Sequence, residues 1–261
     1  MSNKLKDRIE SYQNQSDYKL LNKLPIIFCI NGKSFSKFTS LLEKPFSEGF
    51  FECIKSTLMR LCVEIDGVVF GYQFNDEIII VARNDQNSET EAWFDNKIQK
   101  LISISSSIAS THFNNCALSI DLNTVGDPLF LTQVFTVPNI SEAINFVIYK
   151  QQQNFYTSTQ LACTYELYNK NYNKQEIKDM TYGLSIDDKI SLLSQECNVD
   201  FNQYPASFKR GIGCYKAPKI IDDIVKNKWI INEDLPIFTQ DTSFLNNIFK
   251  HGTDILRKEN I

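Results

Sequence analysis

"FCINGKSFSKF" (Phe28–Phe38) and "GYQFNDEIIIV" (Gly71–Val81) decide the fold between them. The first belongs to a nearly continuous apolar run, Leu24 to Ile30, that reads as a buried central strand ending at Asn31-Gly32. Around the second, Val68–Tyr72 and Ile78–Ala82 read as two strands flanking "QFNDE". Between the two segments Phe46, Phe50, Ile54, Leu58, Leu61, Cys62 and Ile65 step by three and four, the signature of an amphipathic helix. Asp66-Gly67 stops it, with Gly67 placed as the C-cap. The result is a βαββ opening that sets Asn31-Gly32 and the acidic pair Asp76-Glu77 at one sheet edge.

Outward from that core, Glu91–Phe113 reads as a second helix, burying Trp93, Phe94, Ile98, Leu101, Ile102, Ile108 and Ala109. Ala117–Asp121 and Leu129–Val137 read as further strands across the turn-rich "DLNTVGDP". A long helix follows Pro138-Asn139, with Ser141 as its N-cap and an end near Tyr168. Asn169–Asp200 is polar with shorter helical pieces, and Pro205–Lys219 concentrates Lys209, Arg210, Lys216 and Lys219. The expected architecture is α+β, a palm-like (ferredoxin-like) antiparallel sheet with helices packed on one face. Residues 1–219 form the palm-like domain, and residues 220–261 form a helical C-terminal arm returning over it.

Composition narrows the class. In 261 residues, 43% hydrophobic and 22% charged, nineteen Phe and eleven Tyr can fill one substantial core. A net charge of −4 leaves no global basic footprint, so any nucleic acid must meet a local basic patch or a partner subunit. The polar N-terminus has no apolar signal-peptide core, and no apolar run is long enough to span a membrane. Seven scattered cysteines, at 29, 53, 62, 116, 163, 197 and 214, suit reduced core thiols and a cytoplasmic location. Only His112 and His251 are available as imidazole ligands, and no cysteine pair has zinc spacing.

Two readings of the acidic corner stand side by side. A strand-end ligand and a hairpin acid pair can hold two divalent ions that align a triphosphate with an attacking oxygen. Magnesium needs only one or two carboxylates besides phosphate oxygens and water. Equally, Asn-Gly is a common hairpin turn and Asp-Glu a solvated one. "GIGCYK" (Gly211–Lys216) can cradle a phosphate or simply turn the chain. Tyr149, Phe155, Tyr156, Tyr165 and Tyr168 can stack bases or pack in a core or subunit interface. No Gly-x-Ser-x-Gly is present, and His112 offers no nucleophile partner.

The segments "FCINGKSFSKFT", "LLEKPFSEGFFECI" and "GYQFNDEIIIV" resemble the tRNA-histidine guanylyltransferase-like family, the 3′–5′ nucleotide polymerases. That family's Asp-Gly-Arg with Phe-x-x-Phe appears as Asn31-Gly32-Lys33 with Phe35 and Phe38. Its Lys-Pro-Phe appears as Lys44-Pro45-Phe46, and its Ser-Asp-Glu as Asn75-Asp76-Glu77. "FLTQVFTVP", "INFVIYKQQQ", "FNQYPASFKRG" and "LPIFTQD" follow in the family's order, so the resemblance spans Ile26 to Phe244.

The resemblance implies magnesium-dependent nucleotidyl transfer to a tRNA 5′ end with GTP or ATP, in a protein that assembles as a tetramer. It implies Asp76 and Glu77 as catalytic acids and Asn31, Gly32 and Asp76 as metal ligands. It also implies Lys33, Ser34, Phe35, Lys44, Asn75, Lys209 and Arg210 as nucleotide contacts. Charge has been lost at several family positions. The first ligand is Asn31, the long helix carries Gln153, Tyr156 and Thr157, and "FLTQVF" carries Leu131 and Gln133. A carboxylate about 2 Å from a divalent ion supplies several kcal/mol of gross attraction even at a dielectric near 20. Its loss sets a working transferase against a faded palm subunit that binds tRNA or nucleotide beside an active paralogue. A more distant third reading is a sensor that binds triphosphate without turnover.

Overall fold

The structure, a computed structural model, describes residues 3–86, 89–122, 126–221 and 224–251. Helix α1 (Asn3–Gln13) leads into strand β1 (Ile26–Lys33), the one-turn α2 (Phe35–Phe38) and α3 (Glu48–Glu64). Strands β2 (Val68–Phe74) and β3 (Glu77–Ala82) precede α4 (Ile98–Ser119), β4 (Leu129–Thr136) and the 30-residue α5 (Ile140–Asn169). The chain continues through α6 (Lys174–Thr181), α7 (Ile186–Leu192) and α8 (Ala206–Arg210). Strands β5 (Ile212–Ile221) and β6 (Ile224–Asn232) and the short α9 (Thr242–Asn246) follow.

All six strands join one antiparallel sheet in the order β4-β1-β3-β2-β5-β6. The expected α+β class and antiparallel sheet are therefore present. The helices, however, cover both faces rather than one. Because side chains alternate along a strand, Ile26, Phe28 and Ile30 enter a core with α3 and α4. Ile27 and Cys29 enter a second core with Val147 of α5 and with Leu235, Phe238 and Leu245. Ile78 and Ile80 likewise split from Ile79 and Val81. This two-sided burial is why "LPIIFCI" and "IIIV" read as unbroken apolar runs. Gly71 lets α3 lie close on the sheet, since a Cβ there would collide with Cys62 Sγ and meet Leu58 Cδ1 at 2.8 Å.

Several local expectations are corrected. The second helix starts at Ile98, not Glu91, because Phe94, Asp95 and Asn96 adopt left-handed φ values of 51°, 52° and 57°. Ala117–Ser119 is the end of α4 rather than a strand. Its buried positions, Leu101, Ser105, Ala109, Phe113 and Ala117, continue one i+4 row through that point. Of the turn-rich "DLNTVGDP", residues 123–125 lie outside the described residues. Asn139, not Ser141, caps α5, accepting from the Glu142 backbone N–H at 3.0 Å. Ile65 is the C-cap of α3, and Gly67 (φ 75°) instead turns the chain into β2. The 219/220 junction falls inside β5, so the C-terminal segment begins in the sheet. Residues 252–261 lie outside the described residues.

Candidate functional site between two cavities

The β2–β3 turn and the end of β1 build one corner. Asn75 and Asp76 are the two residues between β2 and β3, and Asn75 takes φ 50°. Asparagine tolerates that left-handed geometry better than most residues, which suits a two-residue hairpin loop. Gln73 Nε2 donates to the Asn75 carbonyl at 2.7 Å and stiffens the turn. Asn31 and Gly32 are not a hairpin turn, as their sequence suggests. Both lie within extended β1, where Asn31 is opposite Glu77 on one side and Leu131 on the other. The Gly32 N–H donates to the Asp76 carbonyl at 3.0 Å, tying the strand to the hairpin. A Cβ at Gly32 would collide with the Phe35 ring, so the buried Phe35 tucks directly beneath it.

Two cavities meet at Asn75 and Asp76. One, of about 460 Å³, opens toward α2, α3 and α8 and is lined by Gly32, Ser34, Phe35, Lys44, Phe46 and Phe208, among others. Ser36, Thr39, Ser47, Ser207 and Tyr165 add hydroxyls. Ser47 caps α3, so the positive end of a 17-residue helix borders this cavity. Lys44 Nζ donates to Thr39 Oγ1 at 3.2 Å. Desolvation by the surrounding walls lowers the Lys44 pKa below the ordinary lysine value.

The other cavity, of about 620 Å³, runs along α5 and is lined by Asn31, Asp76, Glu77, Tyr149, Gln152 and Tyr156, together with neighbours. Among the described residues no lysine or arginine lines it. Asp76 faces both spaces, and burial, with the adjacent Glu77 adding to it, pushes its carboxyl pKa upward. Glu77 is engaged: Lys150 Nζ on α5 donates to its Oε1 at 2.7 Å, with the two side chains 17% and 21% exposed. Asn154 Nδ2 donates to the Tyr72 hydroxyl at 2.9 Å, and that hydroxyl donates to the Arg210 carbonyl at 2.8 Å. This chain of bonds seats α5 against the sheet.

The structure thus brings Asn31, Gly32, Ser34, Phe35, Lys44, Asn75, Asp76 and Glu77 to one place. Lys33, Lys209 and Arg210 line neither cavity. Lys33 is exposed at the end of β1. Lys209 donates to the Asn202 carbonyl at 2.7 Å, and Arg210 pairs with Asp234 at 2.7 Å. The single turn of α8 aims Ser207 and Phe208 inward and these two cations elsewhere. Lys150 does not stand out in the sequence; its one signal is a lone cation three residues after the buried Val147 on an otherwise neutral helix face.

As metal ligands the residues present make a thin set. Among the described residues no cluster of three or more His, Cys, Asp or Glu side chains is placed to hold an ion. With Glu77 paired, Asp76 is the carboxylate shared by both cavities that has no ion-pair partner among the described residues, and the Asn31 amide lines the α5-side cavity with it. Such a set fits one magnesium that shares its coordination with phosphate oxygens, and is short for two resident ions.

This corner falls within the part of the chain that matches known proteins. A family model described as tRNAHis guanylyltransferase (Thg1) matches residues 6–138, just over half of the chain and all of the Asn31–Asp76 corner. The Arabidopsis thaliana tRNA(His) guanylyltransferase 1 is 21% identical over 230 residues, covering 87% of this chain. This chain spans only 40% of that protein's length. A probable tRNA(His) guanylyltransferase of Drosophila melanogaster is 24% identical over 94% of this chain and 82% of its own length. A bacterial Thg1-like protein solved in complex with ATP superposes with a TM-score of 0.81 at 25% identity, over 94% of this chain and 98% of that one. The matched segments are those that carry the strand end, the acidic hairpin and the helix between them, and on them the chain belongs to the Thg1 family of tRNAHis guanylyltransferases.

Proposed function

We propose that this protein binds a magnesium-bearing nucleoside triphosphate, ATP or GTP, at the Asp76 junction and performs an attenuated nucleotidyl transfer to a tRNA 5′ end. The observation that carries this reading is Asp76, which alone among the acids at the corner is both unpaired and shared by two cavities. The Lys44 ammonium, the hydroxyls and the α3 N-terminus suit a triphosphate on one side. The tRNA 5′ end comes to the same junction, so that the reacting groups meet at Asp76. Magnesium would be held by Asp76 with the Asn31 and Gly32 oxygens, and when bound it would neutralise phosphate charge. The protein's own share is positioning, the dominant contribution in phosphoryl transfer.

An RNA-binding element accompanies the site. β5 pairs with β2 only through Ile212–Cys214, whereas β5 and β6 pair from Gly213↔Asn232 to Ile221↔Ile224. The hairpin therefore projects past the sheet as a two-stranded ribbon. Lys216, Lys219, Lys226 and Lys228 stand exposed on it, the local basic patch that an acidic chain needs to hold a phosphate backbone. The exposed Leu118, Leu129 and Leu131 near β4 support assembly with further copies, a tetramer in this reading. Free thiols at all seven cysteines support a cytoplasmic setting. No helix among the described residues is long and apolar enough to cross a membrane.

A second reading is favoured by Asn31 and by the Lys150–Glu77 pair, which together remove negative charge from the metal corner. It makes the chain a nucleotide- or tRNA-binding palm that pairs with an active paralogue. Labelled ATP or GTP, supplied with magnesium and a tRNA lacking its first nucleotide, separates the two. Label on the tRNA that Asp76→Ala abolishes supports transfer. Magnesium-dependent binding without transfer, cured by Asn31→Asp, supports the binding subunit.

A further inference from the structure

The α5-side cavity is built unlike its neighbour. Two carboxylates line each cavity, Glu43 and Asp76 beside Lys44 in the first and Asp76 and Glu77 here, but among the described residues no lysine or arginine lines the α5 side, and the nearby Lys150 is already engaged by Glu77. Such a space repels a bare phosphate. It is nonetheless within the size range of small-ligand pockets, at about 620 Å³. Its helical wall presents Tyr149 and Tyr156 two turns apart, with 52% and 50% of their surfaces exposed. Gln152 stands exposed between them, with no hydrogen-bond partner among the described residues. A free amide offers a donor and an acceptor side by side, the complement of a base edge.

A second observation comes from behind the wall. Lys189 on α7 is 1% exposed and forms no ion pair among the described residues. Its Nζ lies 4.0 Å from the centre of the Tyr156 ring. Lys189 does not line the cavity, so it backs Tyr156 from the protein side. A cation over one face of the ring is attracted by its quadrupole, so Lys189 supports Tyr156 from behind while half of the Tyr156 surface stays exposed. Tyr149 is also steadied, because Gln153 Nε2 donates to its hydroxyl at 2.6 Å.

We propose that the α5-side cavity is a nucleobase pocket, taking the phosphate-free, base-bearing part of a nucleotide stacked on Tyr156 with the Gln152 amide at its edge. This rests on the nucleotide-binding function above and assigns the second cavity its ligand class. The triphosphate stays on the Lys44 side, and the neutral α5 wall selects for a base.

The test is a fluorescence titration of the full chain with 2-aminopurine riboside, a nucleoside without phosphate. Saturable quenching is expected. Tyr156→Ala should weaken it about 10- to 100-fold, the range for loss of one base–aromatic stack, while Tyr156→Phe retains it. Lys189→Met should weaken it about threefold by releasing the ring. Inorganic tripolyphosphate should not compete. Absence of saturable quenching, equal affinity in Tyr156→Ala, or displacement by tripolyphosphate would each overturn the proposal. Riboside binding that survives in a protein unable to bind ATP would strike the proposed function and uphold the pocket; ATP binding without riboside binding would strike the pocket alone.

Discussion

The two spaces that share Asp76 differ in charge more than in size. The Lys44 side offers an ammonium, several hydroxyls and a helix N-terminus beside the Glu43 carboxylate. The α5 side offers amides and tyrosines, and its second acid is clasped by Lys150. Even the β1–β4 register repeats the contrast, since Asn31 lies opposite the 59%-exposed Leu131. In the proposed reading the phosphate-holding half of the corner keeps its cation, Lys44, and the ion-holding half has lost negative charge at Asn31 and at the paired Glu77. Binding and chemistry can therefore separate in this protein.

The strongest way to break that comparison is Asp76→Ala. It removes the acid that both cavities share and should lower magnesium-dependent ATP binding by about a hundredfold or more, the scale of ~3 kcal/mol for losing one partner of a buried charge pair. Isothermal titration with and without EDTA reads it.

Lys44→Ala comes next. An uncompensated charge-assisted hydrogen bond is worth about 1.5–3 kcal/mol, so ATP affinity should fall about 10- to 100-fold. pH sharpens the point. Burial lowers the folded-state pKa of Lys44, so on raising pH the folded protein loses this proton before the unfolded chain does. Triphosphate affinity should fall as pH rises through that lowered value, short of the ordinary ~10.4. The small stability cost of the buried charge disappears over the same window and returns as pH falls. Lys44→Arg should move the affinity loss to higher pH.

Lys150→Met tests the other half. Freeing Glu77 restores an acid to the corner, and magnesium affinity in the ATP complex should rise several-fold, while chemical denaturation registers a stability loss of about 1 kcal/mol for the partly exposed pair. The smallest change per residue is on the ribbon. Replacing Lys216, Lys219, Lys226 and Lys228 by Gln should leave ATP binding intact and flatten the salt dependence of tRNA binding. The log–log slope should fall by up to ~0.9 for each phosphate that is no longer neutralised.

Much of this is legible in the residues. The period of three to four from Phe46 to Ile65, and the apolar runs before Asn31 and after Glu77, mark α3, β1 and β3 because each buries a contiguous face. The acidic hairpin is legible because Asn75-Asp76 is short and polar between two apolar strands. Two-sided burial is not, since an unbroken apolar strand does not say what covers each face. Ala117–Ser119 reads as a strand because a short apolar stretch fits strand and helix alike until the i+4 row is followed back to Leu101. Lys150 and Lys189 escape a linear reading because their partners, Glu77 and Tyr156, are distant in sequence or on another helix. Lys209 and Arg210 promise more than they deliver, since a basic cluster on one turn cannot aim every side chain inward.

The most direct measurement is the magnesium midpoint for ATP binding in the wild type beside Asn31→Asp. Restoring the acid should lower that midpoint at least about tenfold while ATP affinity in EDTA stays unchanged, because the Lys44 side is untouched. An unchanged midpoint would contradict a neutralised ion site beside an intact phosphate site.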